Sequence, residues 1–253
     1  MTQPDNPFTA PGGPTPPVPG NLPAAAPVPQ YTYGAPLYDL PPLRSASGLG
    51  MASLVLACVW TAVQVMHLAL APQSAEALRA AGEAGLSAFN SQFTGYDGVS
   101  IVLFALQVAC YVVSCVWLYR SRSTARAANP SFVHERSAAW TWLGWWVPIV
   151  SYWFPYQVVR DIRRATATAT APVSGIGGWW AAWLVFFFAY NVAGRMGSST
   201  TPTVTQAAAD LLVPVEAVAT VAMIVALVLW IRIVRDITRA QAERIAATSA
   251  TQY

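Results

Sequence analysis

The chain has 253 residues, of which 55% are hydrophobic and only 10% are charged. Soluble domains usually carry about 25% charged residues, so this balance argues against a soluble domain and indicates an integral membrane protein. The net charge of +3 is small, and we expect no nucleic-acid partner.

The first 43 residues are rich in proline, alanine and glycine. Such a composition cannot build a packed core, and it favours polyproline II or disorder. We therefore interpret residues 1–43 as a disordered cytoplasmic tail. The alternative is a ligand for a proline-recognising partner. The membrane domain is then expected over residues 44–245, with a short C-terminal tail over residues 246–253.

Four apolar segments are long enough to cross a bilayer, which takes about 20 residues of helix. They cover residues 48–71, 98–119, 178–195 and 211–231. Between the first two, residues 74–93 place apolar side chains on one face at helical spacing, with Ser74 as a cap after Pro72. This pattern predicts a separate amphipathic helix that lies on the outer membrane surface or covers the bundle.

The segment 138–164 is apolar in its first part but is interrupted by Pro148 and Pro155, and arginines flank it on both sides. A straight helix through both prolines is disfavoured because each removes a backbone donor and clashes with the preceding turn. With the N-terminus inside, 12 of the 14 arginines fall on the cytoplasmic side, as short cytoplasmic loops require.

A complete crossing of this segment would put one arginine-rich flank outside. We therefore predict an all-α membrane protein with four transmembrane helices and a re-entrant or interfacial hairpin on the cytoplasmic side. Both termini are expected in the cytoplasm of a bacterial cell, with the chain in the inner membrane. Five spans is the alternative topology.

The central motif reads WWVP at residues 145–148 and WFPYQVVRD at residues 153–161. It resembles the signature of the actinobacterial membrane proteins grouped as domain of unknown function 4328. Residues 117–120, 178–183 and 234–241 are similar to other parts of that family, and the similarity covers roughly residues 44–245. Ser151 and Thr124 stand where the family pattern has asparagine. The resemblance implies a multi-pass membrane protein and carries no assigned activity.

No catalytic signature is present in the sequence. It contains no HExxH, no GxSxG elbow and no phosphate-binding glycine loop, and its two histidines, His67 and His134, are predicted on opposite sides of the membrane. No CxxC or Cys/His cluster indicates a metal site. We expect no enzymatic activity, no catalytic residue, no metal and no cofactor.

Aromatic, proline and polar side chains of the central motif form the first candidate site, for a protein partner or a lipid head group. These residues are Trp145, Trp146, Pro148, Trp153, Pro155, Tyr156, Gln157, Arg160 and Asp161. Anchoring of the aromatic rings at the membrane–water interface is the simpler explanation for this cluster. Arg160 and Asp161 are adjacent in sequence, and we do not pair them.

Glu216 is the second candidate site, because a carboxylate inside an apolar helix must find a partner or bind a proton. Arg195 and Asn191, at the end of the preceding span, are the nearest candidate partners. We predict a Glu216–Arg195 pair that holds two helices in register. The alternative is an ion or proton site.

The leading hypothesis is a non-catalytic scaffold, sensor or accessory subunit that binds a protein or lipid at the cytoplasmic hairpin. Membrane lipids are the expected partners, together with a protein partner or further copies of this chain. The alternative is a small transporter or channel component that works through Glu216, for which Gln64 and Gln107 are the only obvious additional polar residues.

Overall fold

A computed structural model describes residues 45–167, 175–198, 200 and 202–250. Every regular element in these residues is helical, and they contain no strand. The α-helices are α1 (Ser47–Glu83), α2 (Gly95–Ala128), α3 (Trp140–Leu143), α4 (Phe154–Thr166), α5 (Ile176–Gly197) and α6 (Pro202–Ala250). Short 3₁₀-helices cover Ala88–Asn90 and Val150–Tyr152. The tail predicted over residues 1–43 lies outside the described residues.

Helices α1, α2, α5 and α6 are long and apolar enough to cross a membrane. They coincide with the four apolar segments of the sequence, and each extends beyond the predicted bounds. At 1.5 Å per residue, α1 measures roughly 55 Å and α6 roughly 74 Å, whereas a bilayer core is about 30 Å thick. The C-terminal tail predicted from residue 246 is instead helical as far as Ala250.

Helix α1 continues through Pro72 to Glu83, so the separate amphipathic helix predicted over residues 74–93 is wrong. Pro72 lies inside α1 and does not begin a new helix. Two members of the predicted apolar stripe, Ala75 and Leu78, are buried in the core with Leu212 of α6. They are apolar because they pack against another helix. The sequence was misleading because a helix bound to the membrane surface would show the same spacing of apolar residues.

The end of α1 is set by Gly85, whose φ of +69° lies in the left-handed region. The Leu86 N–H donates to the Ala81 carbonyl, and the Gly85 N–H donates to the Gly82 carbonyl. This pair of hydrogen bonds is the Schellman arrangement, which satisfies the last carbonyls of a helix and favours glycine.

Helices α1 and α6 pack along each other, α2 packs against α1, and α5 packs against α6. Within the described residues, α2 and α5 make no comparable contact, so a gap separates them. We call the end of the bundle where α1 and α5 begin and α2 and α6 end the arginine-rich end. Its core includes Ala46, Trp117, Ile176 and Ile237.

The chain between α2 and α5 starts and finishes at the arginine-rich end, because Leu118 of α2 and Ile176 of α5 belong to the same core cluster. Helix α3 ends before Pro148, and α4 begins with Pro155 in its first turn, where a missing N–H breaks no helical hydrogen bond. Between them Ile149 has a φ of +67°, an unusual conformation for a β-branched residue.

Helix α4 is strongly amphipathic. It buries Val158, Val159 and Ile162 in the core formed with α2 and α6, and Ala165 is also buried. We refer to residues 138–166, which contain α3 and α4, as the hairpin, after the prediction made from the sequence.

Candidate functional site

A cavity of about 400 Å³ occupies the gap between α2 and α5. Helices α1 and α6 form its floor through Ala57, Trp60, Met223 and Ala226, and the hairpin closes its end at the arginine-rich side. Ligand pockets in proteins typically measure about 300–1,000 Å³ and are lined mainly by apolar side chains. The size and composition of this cavity therefore fit a small hydrophobic ligand.

Tryptophan rings supply much of the cavity wall. The lining includes Trp60, Trp145, Trp146, Trp179, Trp183 and Trp230. Trp145 of the hairpin meets Trp183 of α5 edge-on, with 5.9 Å between ring centroids, and Trp146 meets Tyr111 of α2 at 5.3 Å. Edge-to-face contacts at these separations are favourable beyond simple burial. The hairpin therefore bridges α2 and α5, which do not pack on each other.

Two hydrogen bonds reinforce this bridge. The Tyr111 hydroxyl donates to the Trp142 carbonyl at 3.0 Å, and the Trp180 indole N–H donates to the Tyr152 carbonyl at 2.7 Å. Each joins a side chain of a long helix to the hairpin backbone, whose carbonyls lack a helical partner at these breaks.

Gln107 and Ser151 are among the polar side chains of the cavity that are available to a ligand. Ser114 is already engaged with Ser53 at 2.9 Å, and the Cys115 thiol donates to the Thr141 carbonyl at 3.3 Å. By contrast, neither Gln107 nor Ser151 makes a side-chain hydrogen bond within the described part of the chain. A ligand with one polar group and a hydrocarbon body would match this distribution.

A polar network lies on the other side of the hairpin, around Asp161. The Asp161 carboxylate is 2% exposed and accepts the Glu135 N–H at 2.9 Å. Arg160 pairs with Glu135 and approaches Asp161 at 3.5 Å, so treating Arg160 and Asp161 as unpaired was wrong. Arg136 donates from Nε to Gln157 at 2.8 Å. The network ties the loop before α3 to α4.

His134 lies beside this network, and its pKa is lowered from the ordinary value of a histidine. Burial is the main cause that lowers its pKa, and the nearby Arg122 guanidinium acts in the same direction, while Asp161 opposes both. Neither ring nitrogen of His134 has a hydrogen-bond partner among the described residues. Arg122 itself donates to the Arg136 carbonyl.

The structure divides the predicted hairpin site between these two regions. Trp145 and Trp146 line the cavity, whereas Gln157, Arg160 and Asp161 form the polar network. Tyr156 packs against the core and lies beneath the Arg160 guanidinium, whose carbon is 5.6 Å from the Tyr156 ring centroid. The remaining residues fall into neither group: Pro155 is buried, and Pro148 and Trp153 are exposed.

Glu216, the second predicted site, is fully buried in α6 and is surrounded by polar side chains from two other helices. The Tyr96 hydroxyl of α2 donates to Oε1 at 2.6 Å, and the Gln64 amide of α1 donates to Oε2 at 2.9 Å. The His67 Nδ1 atom of α1 lies 3.4 Å from Oε2. The three groups compensate for much of the cost of burying a carboxylate.

The imidazole of His67 is held by a ring contact on one face and by a hydrogen bond at Nε2. Its ring stacks on Tyr96 with 3.8 Å between centroids, and its Nε2 atom lies 2.8 Å from the Ser100 hydroxyl. The cluster as a whole joins α1, α2 and α6.

The predicted pairing of Glu216 with Arg195 and Asn191 is wrong. Arg195 is exposed, and the Asn191 amide donates to the Phe187 carbonyl at 2.7 Å on its own helix. The prediction used the depth of each residue along its helix, but the rotation of α6 directs Glu216 towards α1 and α2. The spacing of Gln64 and His67, which places both on one face of α1, was the signal that could have identified the partners.

No group of three or more His, Cys, Asp or Glu side chains is arranged to hold a metal ion in the described part of the chain. The features that define this molecule are therefore an all-helical bundle, four helices able to cross a membrane, an aromatic cavity and a buried carboxylate cluster.

Residues 82–239 match the family described as Domain of unknown function (DUF4328). The match covers more than half of the chain, and the chain belongs to this family. The resemblance carried by the central motif is thereby confirmed at the level of the family. A comparison with curated proteins finds no match, and neither does a comparison with solved structures.

Proposed function

We propose that this chain is a multi-pass protein of the bacterial inner membrane with its hairpin and both termini on the cytoplasmic side. The arginines support this orientation: of the thirteen in the described residues, eleven belong to the arginine-rich end, and Arg79 and Arg195 belong to the opposite end. Short cytoplasmic segments concentrate basic residues in this way. The return of the chain to the same end between α2 and α5 agrees with a hairpin that does not cross.

The proposed function is to bind a membrane lipid at the hairpin, as a non-catalytic scaffold, sensor or accessory subunit. The cavity is the observation that carries this proposal. Its lining includes Phe104 and Val108, which are 65% and 43% exposed on the outside of α2. In a bilayer this surface would meet lipid chains, so a hydrocarbon chain could enter the cavity sideways without crossing water.

Charge and polarity at the hairpin favour a lipid with an anionic head group. Basic residues near a membrane surface attract anionic lipids by about 1 kcal/mol per charge. Gln107 and Ser151 could accept or donate one hydrogen bond to the part of the lipid that enters the cavity. The hairpin is thus suited to hold the chain of the lipid on its inner side and its head group near the arginines.

A cavity-filling substitution tests lipid binding. Ala57→Phe places a ring in the cavity, and Ala62→Phe is the matched control because Ala62 is exposed on the same helix. Purified proteins would be compared by native mass spectrometry and by extraction of bound lipid. We expect the wild type and Ala62→Phe to retain a lipid that Ala57→Phe loses. Equal lipid content in both variants would overturn the proposal.

Cysteine accessibility in intact cells tests the topology. Single cysteines at Ser123, Thr168 and Ser199 would be introduced after replacement of the three native cysteines. We expect an impermeant reagent to label only the cysteine at position 199. Labelling of position 168 from outside would mean that the hairpin crosses the membrane. The proposed lipid site would then not lie on the cytoplasmic side.

A small transporter or channel component working through Glu216 remains the alternative function. The structure gives it less support, because Glu216 is fully buried and already accepts hydrogen bonds from Gln64 and Tyr96. Gln107, expected to contribute to a polar route, lines the aromatic cavity instead. These contacts favour a closed local site over a continuous hydrated path.

A further inference from the structure

We propose that the loop between α1 and α2 is a membrane anchor, in which Phe89 and Phe93 insert into the leaflet opposite the hairpin. The two side chains are 76% and 70% exposed, and Leu86 of the same loop is 46% exposed. Exposed apolar side chains gathered in one short segment mark a surface that binds a membrane or a protein. The anchor rests on the proposed crossing of the membrane by the four long helices, and it is independent of lipid binding in the cavity.

The loop lies beside the outer end of the apolar run of α1, which covers residues 48–71. Helix α1 continues beyond this run, but α2 begins level with it, because a Cβ atom at Gly95 would be 3.7 Å from a methyl group of Leu70. Ala88, in the middle of the loop, is buried in the same core cluster as Ala71 of α1. The chain therefore returns from the tip of α1 to the level where the apolar run ends.

The length of α2 gives the depth of Phe93. A Cβ atom at Gly98 would be 4.0 Å from Cε1 of Phe93, so the ring lies beside the first turn of α2. From Gly98 to Arg120 the helix rises about 33 Å at 1.5 Å per residue, and a bilayer core is about 30 Å thick. Arg120 is exposed at the arginine-rich end. When Arg120 lies at one membrane surface, Phe93 therefore lies at the other.

The exposed surface of α2 continues directly from this ring, and this continuity favours acyl chains as its partner. Ile101 and Val102, one turn after Gly98, are 66% and 49% exposed. The loop carries no charge, since the sequence has no charged residue between Glu83 and Asp97. An uncharged apolar surface that joins a spanning helix can enter the boundary between head groups and acyl chains, where apolar faces of bound segments are buried.

A short 3₁₀-helix holds the anchor, and the amphipathic α-helix that the sequence predicted over residues 74–93 does not form. This element, Ala88–Asn90, packs against α1 and α5. The Asn90 amide donates to the Ser87 hydroxyl at 3.0 Å. These contacts fix the backbone around Phe89, whose ring stands out from the bundle. Because the backbone is already ordered, insertion of the rings has a low entropic cost.

Nitroxide labels measure the depth of the loop. Phe89→Cys and Phe93→Cys would be made separately after replacement of the three native cysteines, and the labelled full-length proteins would be examined by EPR in bilayers. Collisions with oxygen, which concentrates in hydrocarbon, are compared with collisions with a water-soluble nickel chelate. Glu83→Cys is the matched control, because Glu83 is exposed about 18 Å of helix beyond Ala71. We expect the ratio of oxygen to nickel collisions to be several-fold higher at positions 89 and 93 than at position 83.

A ratio at 89 and 93 equal to that at 83 would overturn the anchor. Low collision rates with both reagents would also overturn it, because protein would then cover the loop. A label at Ile101→Cys tests the crossing itself: hydrocarbon there, with water at 89 and 93, means that only the anchor fails. Ala57→Phe, which fills the cavity, should leave the depth of both loop labels unchanged.

A second measurement tests whether the two rings hold the loop in place. Gln92 is exposed between them, and a label at Gln92→Cys reports the depth of the loop with both rings intact. Adding Phe89→Ser and Phe93→Ser should raise the nickel collision rate of this label several-fold. An unchanged rate would show that the rings do not anchor the loop, and would overturn the proposal.

Discussion

Gly50 lies near the start of α1, where this helix crosses α2 and α6, and a larger side chain there should destabilise the bundle. A Cβ atom at this position would be 3.0 Å from Nε1 of Trp117, 3.2 Å from Oγ1 of Thr238 and 3.3 Å from Cγ1 of Val234. All three separations are shorter than an ordinary van der Waals contact. Trp117 and Val234 are 0% and 2% exposed, so they have little room to move.

The variant Gly50→Val would add two methyl groups beyond this Cβ. Overpacking of a full core typically costs about 1–3 kcal/mol, while replacing glycine by valine inside a helix recovers only a few tenths of a kcal/mol. We therefore expect a net loss of about 1–2.5 kcal/mol. Gly48→Val is the matched control, because no atom lies within 4 Å of the Cβ position at Gly48. Gly48→Val gains the same helix propensity but makes no close contact.

Equilibrium unfolding in mixed detergent micelles, followed by tryptophan fluorescence, would measure the difference. Trp117 packs edge-on against Trp230 at 5.5 Å, and Trp230 lines the cavity, so the native fluorescence should also change in Gly50→Val. Equal unfolding free energies for the two variants would refute the close approach of the three helices at Gly50. A Gly50→Val protein more stable than the wild type would do the same.

Two further predictions concern the hairpin. Since the pKa of folded His134 is lowered, the unfolded chain binds more protons below about pH 6.5, and thermal stability should fall on acidification. His134→Gln should reduce this loss, and an unchanged pH profile would contradict it. Asp161→Asn should cost about 1–3 kcal/mol and speed proteolysis of the loop before α3, because one of the two oxygens that accept from the Glu135 N–H and from Arg160 would become a donor. Asp236→Asn, at an exposed ion pair, should change proteolysis little.

Hydropathy predicted the four long helices because each has a sustained apolar run, which a spanning helix requires. It failed at Pro72 because a proline inside a long packed helix and a proline that begins a new helix look alike in sequence. It also failed to give the partners of Glu216. The depth of a residue follows from its position in the apolar run, but its direction depends on helix rotation, which only packing decides.

The cavity could not be predicted from the sequence for a related reason. Its tryptophans come from separate helices, and in sequence they are indistinguishable from anchors at the membrane–water interface. What creates the cavity is the absence of extensive packing between α2 and α5, together with a hairpin that bridges them through Trp145 and Trp146. Neither property leaves a local pattern in the chain.

The cavity and the buried carboxylate cluster share the contact between α1 and α6. Thr61, which lines the cavity, is one turn from Gln64, and Met223 is one turn from Thr220. A change in helix packing at Glu216 would therefore also displace residues of the cavity floor, because the two sites are one helical turn apart on the same helices. Coupling of the cavity to this cluster requires that the lipid bind with a different affinity when the packing at Glu216 changes. The lipid content of Glu216→Gln, compared with that of the wild type, measures that difference.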